Sequence, residues 1–318
     1  MDGIIIIDKP AGWTSHDVVA RARRLLREKR VGHTGTLDPF ATGVLVLLVG
    51  RATRLAQFLS GAEKEYEARV RLGFATDTGD LTGARLAREG EDEGSFDWAS
   101  VGAERIEAAL KPLRGEIEQV PPMYSAKKVQ GRKLYELARR GEEVERKAVR
   151  VFVREFEAVP RADGTLLKIN EDGTCELDAR VVCSAGTYVR TLAESCGENL
   201  GVGAHLSALR RTRAGEFSLS SAVGLEKLEA LSERDAWGEV LISMKAALSR
   251  FAEVHLTGEE SRRARHGAAV SPSRAALALQ DGEHVSVIDE SGELLAVGIY
   301  DAGVGKVKPR VMLAAAEK

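Results

Sequence analysis

Residues 32–43 read GHTGTLDPFATG and lie between two segments with clear secondary-structure patterns. Two glycines and a proline within residues 31–40 cannot continue a helix, so that stretch is predicted to be a loop. Before it, apolar residues from Val18 to Leu26 recur on one helical face that follows the N-cap types Thr14 and Ser15. After it, the apolar run 44–49 predicts a buried strand.

Asp38 is the single carboxylate within residues 32–43. An aspartate before proline in a loop rich in glycine and threonine commonly accepts hydrogen bonds from nearby backbone N–H groups and shapes a turn. The alternative is a carboxylate that is fixed between two strands and aimed at a ligand, as a nucleophile or a base. Spacing alone leaves both interpretations open.

Further from the loop, strands and helices alternate without a regular βαβ order, which predicts an α+β domain with a mixed sheet. The alternation around Tyr66 is typical of a half-buried strand. Residues 121–147 are basic, lack a clear strand and predict an excursion from the sheet with one helix over 133–140. From residue 251 onward, short β-like pieces predict a small all-β module, so we expect domains at 1–250 and 251–318. The other predicted elements are strands near 4–7, 148–159, 165–170, 174–184, 252–256, 276–279, 284–288, 294–299 and 308–313, and a helix near 187–200.

The composition is that of a globular chain of 318 residues, with 44% hydrophobic and 30% charged residues and a net charge of −2. The apolar run at residues 3–7 is too short for a membrane span or an export signal, so a cytoplasmic protein is expected. The three cysteines show no C-x-x-C spacing and are predicted to be reduced, packed thiols. No phosphate-loop, dinucleotide or H-E-x-x-H motif is present, which predicts chemistry by side chains without nucleotide or metal.

Seven motifs, in order along the chain, resemble the TruB family of bacterial tRNA pseudouridine-55 synthases. The stretch GHTGTLDPFATGVL resembles the family's catalytic-aspartate motif, with Phe40 where leucine is usual. The other six are DKPAGWTSHD at 8–17, KEY at 64–66, TDTGD at 76–80, PPMYSAKK at 121–128, CSAGTYVR at 183–190 and GAHL at 203–206 with the following Arg210 and Arg211.

The resemblance implies that the chain converts uridine to pseudouridine in the T-loop of tRNA, at position 55. In that reaction the C1′–N1 bond breaks, the base turns within the site and C5 bonds to C1′, without a cofactor. Asp38 would be the nucleophile, or the carboxylate that initiates cleavage. Arg190 would keep it ionised, since an adjacent guanidinium favours the charged form. The implied fold is a pseudouridine synthase domain with a thumb at about 121–147 and a PUA-like C-terminal module that grips tRNA.

Several of these residues also have ordinary structural interpretations. Tyr66 is the implied ring that stacks on the target base, but an inward tyrosine of a strand is usually core. Arg190 could simply cover Tyr188, Leu209 could be core, and His33 could be a satisfied loop histidine rather than a side chain that holds the target base out of the stack. The implied substrate-binding residues are His33, Tyr188, Leu209, Lys9, Lys64 and Asp80.

The expected partner is the tRNA T-arm, bound by a monomer without guide RNA or membrane. Residues 121–154 contain ten Lys/Arg but only four Asp/Glu. We expect these basic residues to contact phosphates, together with Arg210, Arg211 and Arg213. The thumb segment argues against a guide-RNA-dependent synthase, since such relatives lack much of it. An RNA-folding protein without turnover is a further alternative, whereas a glycosidase needs a second carboxylate that the sequence does not offer.

Overall fold

The computed structural model describes residues 1–87, 96–125, 127–129, 131–138, 140–142, 144–271 and 279–314. Within these ranges the chain forms a ten-stranded mixed sheet, a four-stranded sheet near the C-terminus and a short two-stranded hairpin. No helix in the described ranges is both long enough and apolar enough to cross a membrane.

The strands are β1 (Gly3–Lys9), β2 (Val31–Thr34), β3 (Thr42–Val49), β4 (Lys64–Leu72), β5 (Gly115–Gln119), β6 (Lys128–Val129), β7 (Arg132–Lys133), β8 (Val149–Ala158), β9 (Leu167–Ile169), β10 (Cys175–Cys183), β11 (Ala204–Ala214), β12 (Phe217–Ser218), β13 (Ala252–His255), β14 (His284–Ile288), β15 (Leu294–Asp301) and β16 (Lys306–Met312). The large sheet has the order β1-β3-β11-β4-β10-β8-β5, with β2 added to β3, β9 to β10 and β12 to β11. Neighbouring strands in this sheet are antiparallel except for β3 and β11, which are parallel.

The helices pack against the sheet, and the first of them begins at a capping signal in the sequence. Thr14 caps the first helix through a capping box with Asp17, which satisfies backbone N–H groups that the helix itself leaves open. The helices are α1 (Ser15–Leu26), α2 (Ala56–Leu59), α3 (Ala103–Leu110), α4 (Leu134–Ala138), α5 (Val189–Leu200), α6 (Leu225–Arg234), α7 (Met244–Ala247) and α8 (Gly258–Arg265).

The first strands are buried on both faces. Ile5 and Ile7 of β1 join the main core with α1, α3, α5 and α6. Ile4 and Ile6 face the other way, into a cluster that includes side chains from β14 and β15. A continuous apolar run, rather than an alternating one, is the pattern expected for such a strand. The C-terminal sheet therefore packs on the back of the strand that precedes the 32–43 loop.

The prediction of an α+β fold with a large mixed sheet is confirmed, and the small C-terminal sheet β13–β16 lies where the second module is expected. The division into domains at residue 250 stays a prediction. All three cysteines are buried and free, as predicted. The thumb segment carries α4 within the expected 133–140 and a hairpin of β6 and β7 before it.

Three expectations were wrong or incomplete. Residues 31–34 are not loop but strand β2, because their backbone pairs with β3 from Val31 opposite Val49 to Thr34 opposite Val46. The C-terminal module is not all-β, because Thr257 begins α8 with a capping box. Strand β11 was not predicted at all. Of the expected strand at 276–279, residues 276–278 lie outside the described residues.

Gly43 is required where β3 and β11 meet. Its φ is +101°, and a Cβ at this position would lie 2.2 Å from the backbone oxygen of Arg211. Arg211 is the residue paired with Gly43 in the parallel register. Only glycine therefore lets β11 approach the end of the 32–43 loop this closely.

We predict that Gly43→Ala lowers the free energy of unfolding by at least about 2 kcal/mol, because it combines a left-handed backbone with a steric clash. Urea unfolding followed by circular dichroism would measure the change. Gly61→Ala is the matched control, since its φ is not left-handed and a Cβ there meets no atom within 4 Å. Equal midpoints for the two variants would show that β3 and β11 can separate without cost.

Candidate active site

A cleft of about 270 Å³ opens where β4 begins and β10 and β11 end. Its polar and apolar lining comes from the 32–43 loop, the start of β4, the turn after β10 and the end of β11. The lining residues are Gly35, Thr36, Leu37, Asp38, Ser60, Lys64, Tyr66, Ser125, Ser184, Ala185, Gly186, Thr187, Tyr188, Val189, Arg190, Leu209 and Arg211. The sequence-predicted residues Asp38, Tyr66, Arg190, Tyr188, Leu209 and Lys64 are thus brought together, whereas Lys9, His33 and Asp80 do not line this cleft.

The Asp38 carboxylate is held by two bonds from one guanidinium. Arg190 Nε lies 2.9 Å from Oδ2, and Arg190 Nη2 donates to Oδ1 at 3.2 Å. A two-point contact of this kind fixes both the position and the plane of the carboxylate. The Asp38 side chain remains 32% exposed, so it is open to a ligand from the cleft. This geometry favours the interpretation in which the Asp38 carboxylate faces a ligand over the one in which it hydrogen-bonds to the backbone of its own turn.

The loop that carries Asp38 is anchored on both sides of it. The Ser15 hydroxyl accepts from the Leu37 N–H at 2.9 Å and donates to the Leu37 oxygen at 3.2 Å. Lys9 Nζ donates to the Pro39 oxygen at 3.2 Å. The residues on either side of Asp38 therefore have little freedom to move.

Arg190 joins the Asp38 loop to two further segments. It is the second residue of α5, and its side chain is only 4% exposed. Nη1 donates to the Thr78 oxygen at 2.7 Å, and Nη2 donates to the Tyr124 oxygen at 2.7 Å. Asp80 Oδ2 lies 3.8 Å from Nη1. One buried guanidinium thus ties together the loop, the 76–82 turn and the base of the thumb.

Burial and pairing act in opposite directions on Asp38. Burial raises the pKa of the Asp38 carboxyl above its usual value, and the neighbouring Asp80 acts in the same direction. The Arg190 guanidinium opposes this by stabilising the ionised form. The effect of the guanidinium could be predicted from the sequence, whereas the larger effect of burial could not. Arg190 therefore partly offsets the effect of burial, which favours the protonated form of this carboxyl.

Asp80 has a local structural position rather than a place in the cleft. Its buried carboxylate accepts from the Thr78 hydroxyl at 2.9 Å, the Thr82 N–H at 2.9 Å and the Thr82 hydroxyl at 2.5 Å. These bonds close the turn that presents the Thr78 oxygen to Arg190. Asp80 therefore contributes to the site indirectly, because it stabilises the turn that binds Arg190.

Aromatic and apolar side chains form the walls of the cleft. Tyr66 and Leu209 are both buried and lie on neighbouring strands β4 and β11. Tyr188 precedes α5 and is half-buried; its N–H donates to Gln119 Oε1 at 3.0 Å, and Gln119 Nε2 donates back to its oxygen at 3.3 Å. The core and ligand-facing interpretations of Tyr66 and Leu209 are compatible, because both residues belong to the core cluster and line the cleft.

Two lysines use their ammonium groups on backbone carbonyls. Lys9 is fully buried and donates to the oxygens of Pro10, Trp13 and Pro39. Lys64 donates to the oxygens of Ser60, at 2.5 Å, and of Ala62. Burial lowers the pKa of each to about 8. The structure thus places Lys9 beneath the Asp38 loop and Lys64 at the cleft wall.

His33 lies on β2, half-buried, and its Nδ1 has no hydrogen-bond partner among the described residues. It is therefore not the satisfied loop histidine of the alternative interpretation. Burial lowers its pKa, and the charge of Arg211 acts in the same direction. A neutral imidazole is the form favoured at this position.

The expectation that three arginines of β11 contact phosphates was wrong for Arg211. Arg211 is only 1% exposed and lines the cleft. Arg210 is half-buried and paired with Asp8 at 2.7 Å, and Arg213 is paired with Glu63 at 2.8 Å. The positive charges of these residues are evident from the sequence, but their burial and their ion-pair partners are not.

Other polar groups at the site were missed by sequence reasoning. Gln119, at the end of β5, has no sequence signal beyond its position before the thumb. Glu194, one helical turn after Arg190, lies against Gly79, where a Cβ would be 2.3 Å from its Oε1. The spacing of Leu209 and Arg211, two residues apart on one strand, could have placed Arg211 on the cleft side.

Other reactive groups are less suited to chemistry. Burial raises the pKa of Cys175 and Cys183 to about 11 and that of Cys196 to about 12, so these thiols stay protonated at neutral pH. Within the described parts of the chain, no group of three or more His, Cys, Asp or Glu side chains is arranged to hold a metal ion.

Family comparisons cover most of the chain. The model of the TruB family pseudouridylate synthase N-terminal domain matches residues 23–189. The model of the tRNA pseudouridylate synthase B C-terminal domain matches residues 190–249. These two regions contain the whole cleft.

Individual relatives agree with the family models. A Thermobifida fusca protein named tRNA pseudouridine synthase B is 47% identical over 277 residues, 86% of this chain and 87% of that protein. A Geobacillus thermodenitrificans protein of the same name is 42% identical over 309 residues, 97% and 98% of the two chains. A chain in the structure of an H/ACA RNP bound to a substrate RNA containing 2′-deoxyuridine matches with a TM-score of 0.70 and 26% identity, covering 98% of this chain and 85% of that one.

The position of Glu194 generates a prediction about pH. Burial raises its pKa from 4.5 to about 7, so the folded state binds this proton more tightly than the unfolded state does. Consequently the free energy of unfolding falls as pH rises from about 4.5 to about 7, by at most about 3 kcal/mol. Glu194→Gln is always neutral and should be more stable than the wild type at pH 8 but similar to it near pH 4.5.

Urea unfolding at both pH values would measure this difference. Glu104→Gln, which changes an exposed carboxylate on α3, is the control and should follow the wild type. If Glu194→Gln showed the same pH dependence as the wild type, the pKa of Glu194 would not differ between the folded and unfolded states, which would contradict the prediction.

Proposed function

The chain belongs to the TruB family of pseudouridylate synthases, and on that premise we propose that it isomerises a uridine of tRNA to pseudouridine, at position 55 of the T-loop. The relatives cited above carry the name tRNA pseudouridine synthase B. The observation that carries the proposal is the Asp38 carboxylate, gripped by Arg190 and open to a cleft that Tyr66 also lines. A cytoplasmic location follows from a tRNA substrate.

In the proposed reaction, Asp38 acts on the ribose of the target nucleotide. As a nucleophile, its carboxylate attacks C1′ while the C1′–N1 bond breaks and the electron pair leaves with the uracil. Alternatively, the carboxylate acts as a base: it removes a proton from the ribose as the C1′–N1 bond breaks, and that proton returns to the ribose when C5 bonds to C1′. After the base has turned, C5 bonds to C1′, the carboxylate is released, C5 loses its proton and N1 gains one. No electrons are gained or lost overall, so no cofactor is needed.

The target uridine must leave its stack to reach Asp38, since Asp38 lies in a narrow cleft of about 270 Å³ between the loop and the strand ends. Extruding a nucleotide costs a few kcal/mol. Stacking of the base on an aromatic ring stabilises the bound state by roughly 1–3 kcal/mol, which offsets much of this cost. Tyr66, Tyr188 and Leu209 supply aromatic and apolar surface for the extruded base, and Tyr66 carries a phenol that can also transfer a proton. We assign His33 to holding the base out of the stack.

The thumb supports recognition of tRNA without a guide RNA. Its base is joined to the catalytic arginine, because the Tyr124 oxygen accepts from Arg190 and Ser125 lines the cleft. RNA gripped by this segment would therefore lie next to Asp38 without a further component. The H/ACA RNP chain shares the fold, but curated relatives named for tRNA are closer in sequence. Residues 251–318 are proposed to act as a PUA-like module that contacts the acceptor end of tRNA.

The first test is Asp38→Asn, which keeps the shape of the side chain and removes its charge. Wild-type protein incubated with an unmodified T-arm transcript, and nothing else, should form pseudouridine at one position. Asp38→Asn should lower the single-turnover rate by at least about 10³-fold, since no other carboxylate among the described residues lines the cleft. Mapping pseudouridine by nucleotide gives the readout.

The control for this test is Asp163→Asn, an exposed aspartate in the turn between β8 and β9. It should retain the wild-type rate. Turnover by Asp38→Asn at the wild-type rate would refute the assignment of Asp38, and a requirement for an added RNA would refute guide independence.

A second prediction separates the two contributions of Tyr66. Tyr66→Phe keeps the ring that stacks on the base and removes the hydroxyl, so RNA affinity should be retained while turnover falls by about 10²-fold or more. Filter binding and single-turnover rates on the same T-arm RNA would measure both. Weakened binding with unchanged chemistry would contradict the proton-transfer role.

A further inference from the structure

The cleft contains two buried cations that the reaction described above leaves without a role. Arg211 is 1% exposed and Lys64 is 5% exposed, and both line the cleft. Among the described residues no carboxylate lies within ion-pair distance of either. Their nearest polar partners are backbone carbonyls, which are neutral.

Arg211 holds both ends of the segment that carries Asp38. Its Nε donates to the Val44 oxygen at 2.7 Å, and its Nη2 donates to the Gly35 oxygen at 2.9 Å. It is also the strand partner of Tyr66, and both residues line the same cleft. The guanidinium charge therefore lies on the side of the sheet at which the extruded base would bind.

A buried cation without a counter-ion is costly, because it loses its hydration and gains no opposite charge. Asp38, the single carboxyl group that lines the cleft within the described parts of the chain, is already paired with Arg190. A site that keeps an unpaired positive charge is complementary to a ligand that becomes negative during the reaction rather than to a neutral one. Uridine is neutral, but the uracil that departs from C1′ is not.

We propose that Arg211 stabilises the negative charge that the uracil acquires when the C1′–N1 bond breaks. This inference rests on the proposed function. The electron pair of the broken bond spreads over N1 and the two carbonyl oxygens of the base, and the charge is neutralised again when C5 bonds to C1′ and N1 is protonated. Arg211 acts by its positive charge, which lies buried in the wall of the cleft that receives the base.

Arg211 is better suited to this role than the other two cations. The guanidinium of Arg190 is occupied by Asp38, Thr78 and Tyr124. Lys64 gives two of its three hydrogens to carbonyls and holds its proton less tightly because it is buried. A guanidinium, unlike an ammonium group, is not deprotonated in proteins.

The test is the leaving-group dependence of Arg211→Gln. Loss of one preorganised charge typically lowers a rate by about 10²- to 10³-fold, and we expect that loss in single-turnover consumption of uridine in T-arm RNA. Fluorine at C5 makes uracil a better leaving group, because it disperses the negative charge. The loss should therefore be smaller for T-arm RNA with 5-fluorouridine at the target position, so the rate ratio of fluoro to ordinary substrate should rise in the variant.

A structural role alone would slow both substrates equally and leave this ratio unchanged, which would overturn the inference. If Arg211→Gln does not fold, Arg211→Lys serves instead. It keeps the charge but cannot span both carbonyls, so retention of most of the rate supports the inference and a loss as large as 10²-fold contradicts it. Arg114→Gln is the control, since Arg114 also donates to a backbone oxygen, that of Phe156, but does not line the cleft.

The two levels of the proposal fail separately. If wild-type protein consumes no uridine in T-arm RNA, the proposed function is wrong and the inference falls with it. If the wild type is active and the ratio of the two substrates is the same in Arg211→Gln, only the inference about Arg211 is wrong.

Discussion

The ion pair between Asp38 and Arg190 is the contact on which the arrangement of this site depends. Arg190 is placed by the start of α5, which follows β10 directly, whereas Asp38 comes from a loop more than 150 residues earlier in the chain. The same guanidinium also binds the oxygens of Thr78 and Tyr124. Removing Asp38 would leave the buried Arg190 charge uncompensated, so one guanidinium links the helix, the loop, the turn and the thumb base.

A second principle of the site is that its loops are held by buried cations bound to carbonyl oxygens. Lys9 and Arg211 bind the Pro39, Gly35 and Val44 oxygens, all within one ten-residue stretch. This is a costly way to fix a loop, since each cation is desolvated, and packed apolar side chains could have done the same. What apolar side chains could not supply is positive potential in the cleft. The anchoring and the electrostatics of the site therefore come from the same residues.

Much of the fold could be predicted from the sequence, and the failures have physical causes. Continuous apolar runs and clean alternation predicted β1, β3 and β4. Strand β11 was missed because its register shifts at Leu206/Ala208 and again at Arg211/Arg213, which breaks the two-residue period, and because its arginines look like surface residues. The candidate site residues came from motif resemblance, which cannot report burial. Arg211 was therefore assigned to phosphates, although the structure places it inside.

The bulges in β11 connect this failure of prediction to the chemistry. A regular strand would alternate from Leu206 to Arg213 without interruption, but each shift in register resets which face a side chain occupies. Between the two shifts, Leu209 and Arg211 face the cleft, while Arg210 turns away to Asp8. An apolar surface for a base and a buried positive charge are thus placed side by side beside Tyr66. The two register shifts therefore explain both why β11 was not predicted and why Leu209 and Arg211 face the cleft.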